Sequence, residues 1–284
     1  MSQLNSDASN RLGNYLKALA QIRTPVGSPL LSIILFGSAA KGVFASETSD
    51  VDLIIVLSGC PSAEDRSRIR EQVSELEVLH GFQLPLIRRG KPHERLAARA
   101  AGHAMSCFVC SREDLLSGVV ARILGLSPFE ALFVDRIVLA NILVSAVTVS
   151  GEDLVPGAPI LPLRRLDVFK ALSNFVNILF MSAMGFLLLP DATRYASGAL
   201  KHSLHSCYFC YHRTTASVEE EIDFFTGRLG PTKAFQDLLQ QRQSYRRSFS
   251  FVLRCAPVIV RMHLRTVRDN RFPLTVTRTP QTRA

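Results

Sequence analysis

Leu31 to Leu57, LSIILFGSAAKGVFASETSDVDLIIVL, is the stretch on which the fold turns. Ser32 to Phe36 is apolar and β-branched, the pattern of a buried strand, and Gly37 stops it where a backbone can turn sharply or come close to a ligand. Ser38 then opens a short helix through Ala39, Ala40 and Lys41. After a polar loop, Asp50-Val51-Asp52 runs straight into Leu53 to Leu57, a second strand. Positions i and i+2 of a strand face the same way, so both carboxylates are expected on one face and Val51 on the other.

Neighbouring carboxylates repel each other unless something positive lies between them, and a hard divalent cation such as Mg2+ or Mn2+ meets that need with oxygen ligands. The amides of the turn at Gly37 and Ser38 form a cradle for phosphate oxygens, to which the Ser38 hydroxyl adds a contact. A phosphate cradle beside a dicarboxylate points to phosphoryl or nucleotidyl transfer. The bland alternative has Asp50 cap a turn and Asp52 merely open a strand, which leaves two acids at a buried strand start without a partner.

The order Phe36-Gly37-Ser38, then Asp50-Val51-Asp52, resembles the signature of the polymerase-beta-like nucleotidyltransferase superfamily. Small bacterial members such as the aminoglycoside nucleotidyltransferases are most similar, and the resemblance covers residues 25 to 90. It implies an α+β fold: an N-terminal nucleotidyltransferase core, built as a short mixed β-sheet flanked by helices, followed by a C-terminal α-helical bundle. It implies that Asp50 and Asp52 are the catalytic and metal-holding pair and that Gly37, Ser38 and Lys41 meet the nucleotide. The helical half would supply a basic residue to the triphosphate, with Lys201 the candidate. The activity implied is transfer of a nucleoside monophosphate from a triphosphate to a hydroxyl acceptor on a small molecule, an RNA end or a protein.

Members of the superfamily take a third carboxylate from a later strand. The segment in that place, Gly81 to Ile87, carries Gln83, which can orient a hydroxyl but cannot act as a general base. Glu75 or Glu77 would substitute only in a different register, and their place before His80-Gly81 reads as a solvated helix end. The alternative reading is therefore a catalytically impaired member that binds nucleotide or nucleic acid through the same cleft. A component of a toxin-antitoxin pair, modifying tRNA or a protein hydroxyl, is a third.

The 284 residues allow one large domain or two modest ones, and a 47% hydrophobic, 20% charged composition is that of a globular chain with a sizeable core. Six cysteines without an apolar N-terminal signal argue for a reducing cytoplasm over a disulfide scaffold. The net charge of +9 is concentrated at the end, because from Arg242 onward arginines face only Asp269. That region would attract nucleic acid, an acidic partner or a triphosphate without specificity, or would form a solvated helix end.

Taken in order, the chain reads as a nucleotidyltransferase domain over 1–125, a helical domain over 126–270 and a disordered basic tail over 271–284. Asn10 to Ile22 carries a helical apolar stripe. Ser62 caps a helix from Ala63 to Leu79, a crossover to a third strand over Phe82 to Arg88, beyond which Arg88 to Arg99 is basic. Met105 to Val109 is expected as a fourth strand and Ser111 as the cap of a following helix. Phe129 to Val149 and Leu163 to Leu189 read as apolar helices; the polar residues within the second favour a bundle core over a membrane span. Helices are expected over Asp191 to Thr215, from Ser217, and over Lys233 to Arg268 as one or a pair. The Cys107/Cys110 and Cys207/Cys210 pairs have zinc-ligand spacing, but their apolar surroundings read as buried thiols. His202, His205 and His212 share a helix and are read as surface or packing residues.

Overall fold

A computed structural model of the chain describes residues 2–40, 51–82, 107–126, 134–187 and 191–277. They form two compact units. The first comprises Met1–Lys91, Met105–Ala131 and Ser145–Ile160; the second comprises Pro92–Ala104, Leu132–Val144 and Leu161–Ala284.

The first unit is built on a four-stranded mixed sheet in the order β3-β2-β1-β4. The strands are β1 (Leu30–Phe36), β2 (Asp52–Leu57), β3 (Cys107–Ser111) and β4 (Val147–Gly151). β1 and β2 run antiparallel with Ile34 opposite Ile54 and Phe36 opposite Asp52, and β2 runs parallel to β3 with Leu53 opposite Cys107. Ile33, Leu35, Leu53, Ile55, Leu57 and Val109 pack on one face under Tyr15 and Leu19 of α1 (Ser2–Leu19) and Ile69 and Val73 of α3 (Ala63–Leu79). Burying each such aliphatic side chain contributes about 1.5–3 kcal/mol, so this layer fixes the register. Between β1 and β2 lies the single turn α2 (Gly37–Ala40). Gln72 of α3 exchanges two hydrogen bonds with the Arg23 backbone, at 2.9 and 3.0 Å, tying the crossover helix to the segment that enters β1.

α3 begins where Ser62 and Asp65 form a capping box, and α4 (Arg112–Ser117) begins with the same device at Ser111 and Asp114. α5 (Val120–Leu124) packs on β3. Arg112, after β3, reaches Glu152, after β4, through two hydrogen bonds of 3.1 and 2.8 Å, so the two edge strands are strapped at one end of the sheet. Both partners are about half exposed, and such pairs contribute on the order of 0–1 kcal/mol.

In the second unit, α6 (Arg136–Ser145) is followed by α7 (Arg165–Met184), α8 (Ala192–His212), α9 (Val218–Leu229), α10 (Lys233–Gln243) and α11 (Phe249–Asp269). α7, α8 and α11 pack against one another, around Phe175, Leu179, Leu200, Leu204, Phe251 and Met262. Capping by Ser217, Thr232 and Ser248 starts α9, α10 and α11.

Two expectations are corrected, at Phe129 to Val149 and at the stretch from Phe272. Phe129 to Val149 is not one helix: α6 ends at Ser145, and Val147–Gly151 is an edge strand beside β1. Apolar β-branched residues satisfy either pattern, and pairing to β1 decides it. Gly151, at φ +83°, is held so closely against the Leu31 carbonyl that a side chain there would overlap it. β2's parallel neighbour is Cys107–Ser111; the third strand expected over Phe82 to Arg88 falls, beyond Phe82, outside the described residues. Lys233 to Arg268, expected as one helix or a pair, is a pair, broken at Ser244. Finally, the stretch from Phe272 is ordered as far as it is described, since Leu274 exchanges backbone hydrogen bonds of 3.0 and 2.9 Å with Leu163 and is buried.

Two buried acids close the start of the helical unit. Asp135 accepts the Val138 amide at 3.1 Å, and Asp167 accepts the amides of Arg136 and Arg164 at 3.4 and 2.7 Å. Burial, reinforced by the charge of Asp167, pushes the Asp135 carboxyl up to about 7. A carboxyl raised in the folded state stabilises while it is protonated. Its contribution is complete below its ordinary value of 3.8 and is lost as pH rises through about 7. Asp135→Asn should therefore be more stable than the parent at pH 8 and lose that advantage at pH 5. Urea midpoints for both proteins across this range check it, and a difference that does not change with pH contradicts it.

Candidate functional site

Asp52 is the first residue of β2, and its pairing with Phe36 sets it beside the residue that ends β1. Gly37 follows at once with φ +72°, a conformation that side chains disfavour. The turn brings its Cα against the Asp52 carboxylate, such that a Cβ at Gly37 would overlap Asp52 Oδ2. The space a side chain would fill is taken by the carboxylate itself. One acid is thus held, half-buried, against the backbone of the β1–α2 turn.

Alternation along β2 settles which way Asp52 projects. Val51 is buried in the layer under α1 and α3 together with Leu53 and Ile55, as expected, so Asp52 belongs to the other side with Ile54 and Val56. There Phe36 stacks on Phe108 of β3, with ring centroids 5.9 Å apart. The carboxylate stands at the end of an apolar surface, where water competes less for a cation than in the open.

Of the residues singled out from sequence, Gly37 and Asp52 are brought together, and Ser38 is the second residue of α2. Asp50, Lys41 and Gln83 lie outside the described residues. Glu77 is not at a solvated helix end. It is buried, and its charge helps to raise Tyr15 and Cys107, both of which lie in the covered layer on the side opposite Asp52. The Tyr15 hydroxyl has no hydrogen-bond partner among the described residues, and burial lifts its pKa far above the phenolic range. Among the described residues no group of three or more His, Cys, Asp and Glu side chains is arranged to hold a metal ion.

Lys201 is exposed on α8 of the second unit. On the same helix His205 lies 2.7 Å from Glu221, and His212 stacks on Tyr208 with centroids 4.3 Å apart; burial and nearby arginines lower its pKa. The paired cysteines are buried free thiols. Burial pushes Cys107, Cys110 and Cys207 up to about 12 and Cys210 well above the ordinary thiol value, opposite to what a metal ligand needs. Several C-terminal arginines are engaged within their unit: Arg242 with Glu219, Arg254 with Asp237, Arg265 and Arg268 with Asp269, and Arg261 with the Leu229 carbonyl. The excess charge of this region is thereby partly compensated, which sequence alone did not reveal.

The hairpin, its glycine turn and the acid that opens β2 lie within residues 16–87, which match the model of the nucleotidyltransferase domain. Residues 16–87 are a nucleotidyltransferase domain of the polymerase-beta-like superfamily. No curated protein shows significant sequence similarity to the chain. Among solved structures, the nucleotidyltransferase domain together with the helical region after it is similar in fold to a spectinomycin adenyltransferase from Enterococcus faecialis, crystallised with ATP and spectinomycin. The TM-score is 0.52 at 8% identity, covering 92% of this chain and 98% of that one. At that identity the likeness is one of fold: a mixed sheet with helices, then a helical C-terminal region.

The turn makes Gly37 the position least able to accept a side chain. Gly37→Ala should cost roughly 1–2 kcal/mol from the backbone alone, and more as Asp52 is displaced. Urea denaturation measures the loss, and a variant as stable as the parent would show that the turn is not held as described.

Proposed function

We propose that the protein is a metal-dependent nucleotidyltransferase that moves a nucleoside monophosphate from a triphosphate to a hydroxyl acceptor. The observation that carries this reading is the Asp52 carboxylate seated on the Gly37 turn, within the nucleotidyltransferase domain. The carboxylate is a hard oxygen donor placed where the turn leaves no side chain, and this fits a hard cation. Asp52 and Asp50 would hold Mg2+ or Mn2+, which when bound supplies neutralisation of charge on the phosphate oxygens. Gly37, Ser38 and Lys41 would meet the phosphates. What the protein contributes beyond this is positioning of the acceptor hydroxyl for in-line attack.

The acceptor class to examine first is an aminocyclitol antibiotic, because the structural neighbour is an adenyltransferase solved with spectinomycin. ATP is likewise the first donor to examine. A cytoplasmic location is proposed on the six free thiols, of which Cys60 is exposed. Nucleic acid is a candidate partner for the arginine-rich end, at a strength reduced by the internal pairing there.

The test is incubation with each α-labelled triphosphate, Mg2+ or Mn2+, and a panel of acceptors led by spectinomycin, with label transfer and pyrophosphate as readouts. Asp52→Asn is expected to lower transfer by about 100- to 1000-fold, the scale for loss of one electrostatic group at the reacting centre. Transfer unaffected by Asp52→Asn refutes the assigned site. Triphosphate binding with no pyrophosphate released for any acceptor supports the impaired binder instead.

A further inference from the structure

α7 has two unlike sides. Val168, Ala171, Phe175 and Leu179 are buried against α8 and α11. On the other side Leu166 (61% exposed), Phe169 (44%), Val176 (39%), Phe180 (63%), Met181 (40%) and Met184 (72%) stand in solvent, and Leu187 (89%) continues the row in the next turn of chain. α7 is the one described helix long and apolar enough to cross a membrane, yet only 33% of its most apolar stretch is buried. A bundle helix that exposes a row of this length has an apolar side left over from folding its own unit. Isolated exposed apolar residues need no explanation, but a contiguous row does.

From this surface we infer that the protein forms a two-fold dimer through α7, its occupant being a second copy of the same chain. Area is the first argument. At roughly 200 Å² per large apolar residue, the seven exposed residues present about 800 Å², the share one partner gives to a standard stable interface. The surface continues onto α11, where Phe249 (45% exposed) lies against Phe186 with ring centroids 5.0 Å apart and Leu253 (53%) comes one turn later. Charge is the second argument. The protein carries +9, so a second copy is repelled except where no charge faces it. Between Leu166 and Leu187 the charged residues are Asp167, which is buried, and Lys170, which is half-buried between Leu166 and Met181.

The third argument is self-complementarity, which an isologous interface requires. Exposed positions 166, 169, 173, 176 and 180 follow alternating steps of three and four, the spacing of a helix-to-helix seam. Two copies of α7 laid antiparallel about an axis at Val176 and Asn177 set Leu166 against Leu187 and Phe169 against Met184. Phe180 then enters the space over Ser173, the small residue of the row. Large meets small at the same place on both sides, so the pairing closes on itself and goes no further.

Sedimentation velocity on the full chain at micromolar concentration tests this. The parent is expected at twice the mass of one chain, and Phe180→Glu at the mass of one chain with unchanged far-ultraviolet circular dichroism. Should Phe180→Glu fail to fold, Val176→Cys in a Cys60→Ser background gives a second reading: oxidation should join two chains through residue 176. A parent of single-chain mass, or a dimer that survives Phe180→Glu and is not cross-linked through residue 176, overturns the proposal. So does a single-chain protein that co-sediments with vesicles of phosphatidylcholine and phosphatidylglycerol, which would assign the row to a lipid surface.

Discussion

The contact between Gly37 and Asp52 is the constraint on which the site depends. A strand must end, reverse into a turn and leave room for a carboxylate from its antiparallel neighbour, all within two residues. Only a residue without a side chain, in a backbone conformation closed to most others, satisfies all three demands. The apolar layer under α1 and α3 fixes the β1–β2 register that sets Phe36 opposite Asp52. Energy stored in ordinary core burial thus holds an acid where solvation alone would not keep it.

The two units divide the physical work differently. In the first, an apolar sheet positions polar chemistry at one end and is strapped at the other by Arg112 and Glu152. In the second, helices are begun by capping side chains and held by packing among α7, α8 and α11. The acids of the helical unit, Asp135 and Asp167, serve backbone amides at the helix starts, and burial is severe enough to bring one of them to titrate near neutrality. That is a structural use of perturbed carboxyls. A shifted pKa by itself is therefore not a mark of the reacting centre in this chain.

Much of this was legible in the residues. Gly37 and the pattern of Leu53 to Leu57 placed the hairpin, and the caps at Ser62 and Ser111 were read at the correct positions because capping chemistry is local. What failed was long-range. Val147 to Gly151 carries the composition of either a helix end or a strand, and pairing with a strand more than a hundred residues earlier decides it. Glu77 looked like a solvated residue because it stands just before His80-Gly81, where the helix ends, whereas its neighbours in space are Tyr15 and Cys107. Leu274 looked like part of a tail because its partner, Leu163, is remote in sequence. Periodicity reports the local face of an element and is blind to what covers it.

The placement of β4 has a consequence for how the polypeptide can be cut or synthesised. β1, the central apolar strand that leads into Gly37, has β2 on one flank and β4 on the other, and β4 arrives only after α6 has been laid down. A fragment ending before Val147 would leave the largely apolar β1 bare along the edge that β4 covers, an open template for joining another chain. During translation the same vulnerable interval lasts until Gly151 leaves the ribosome. The sheet is for this reason not a detachable N-terminal module, because its last protective edge is encoded beyond α6.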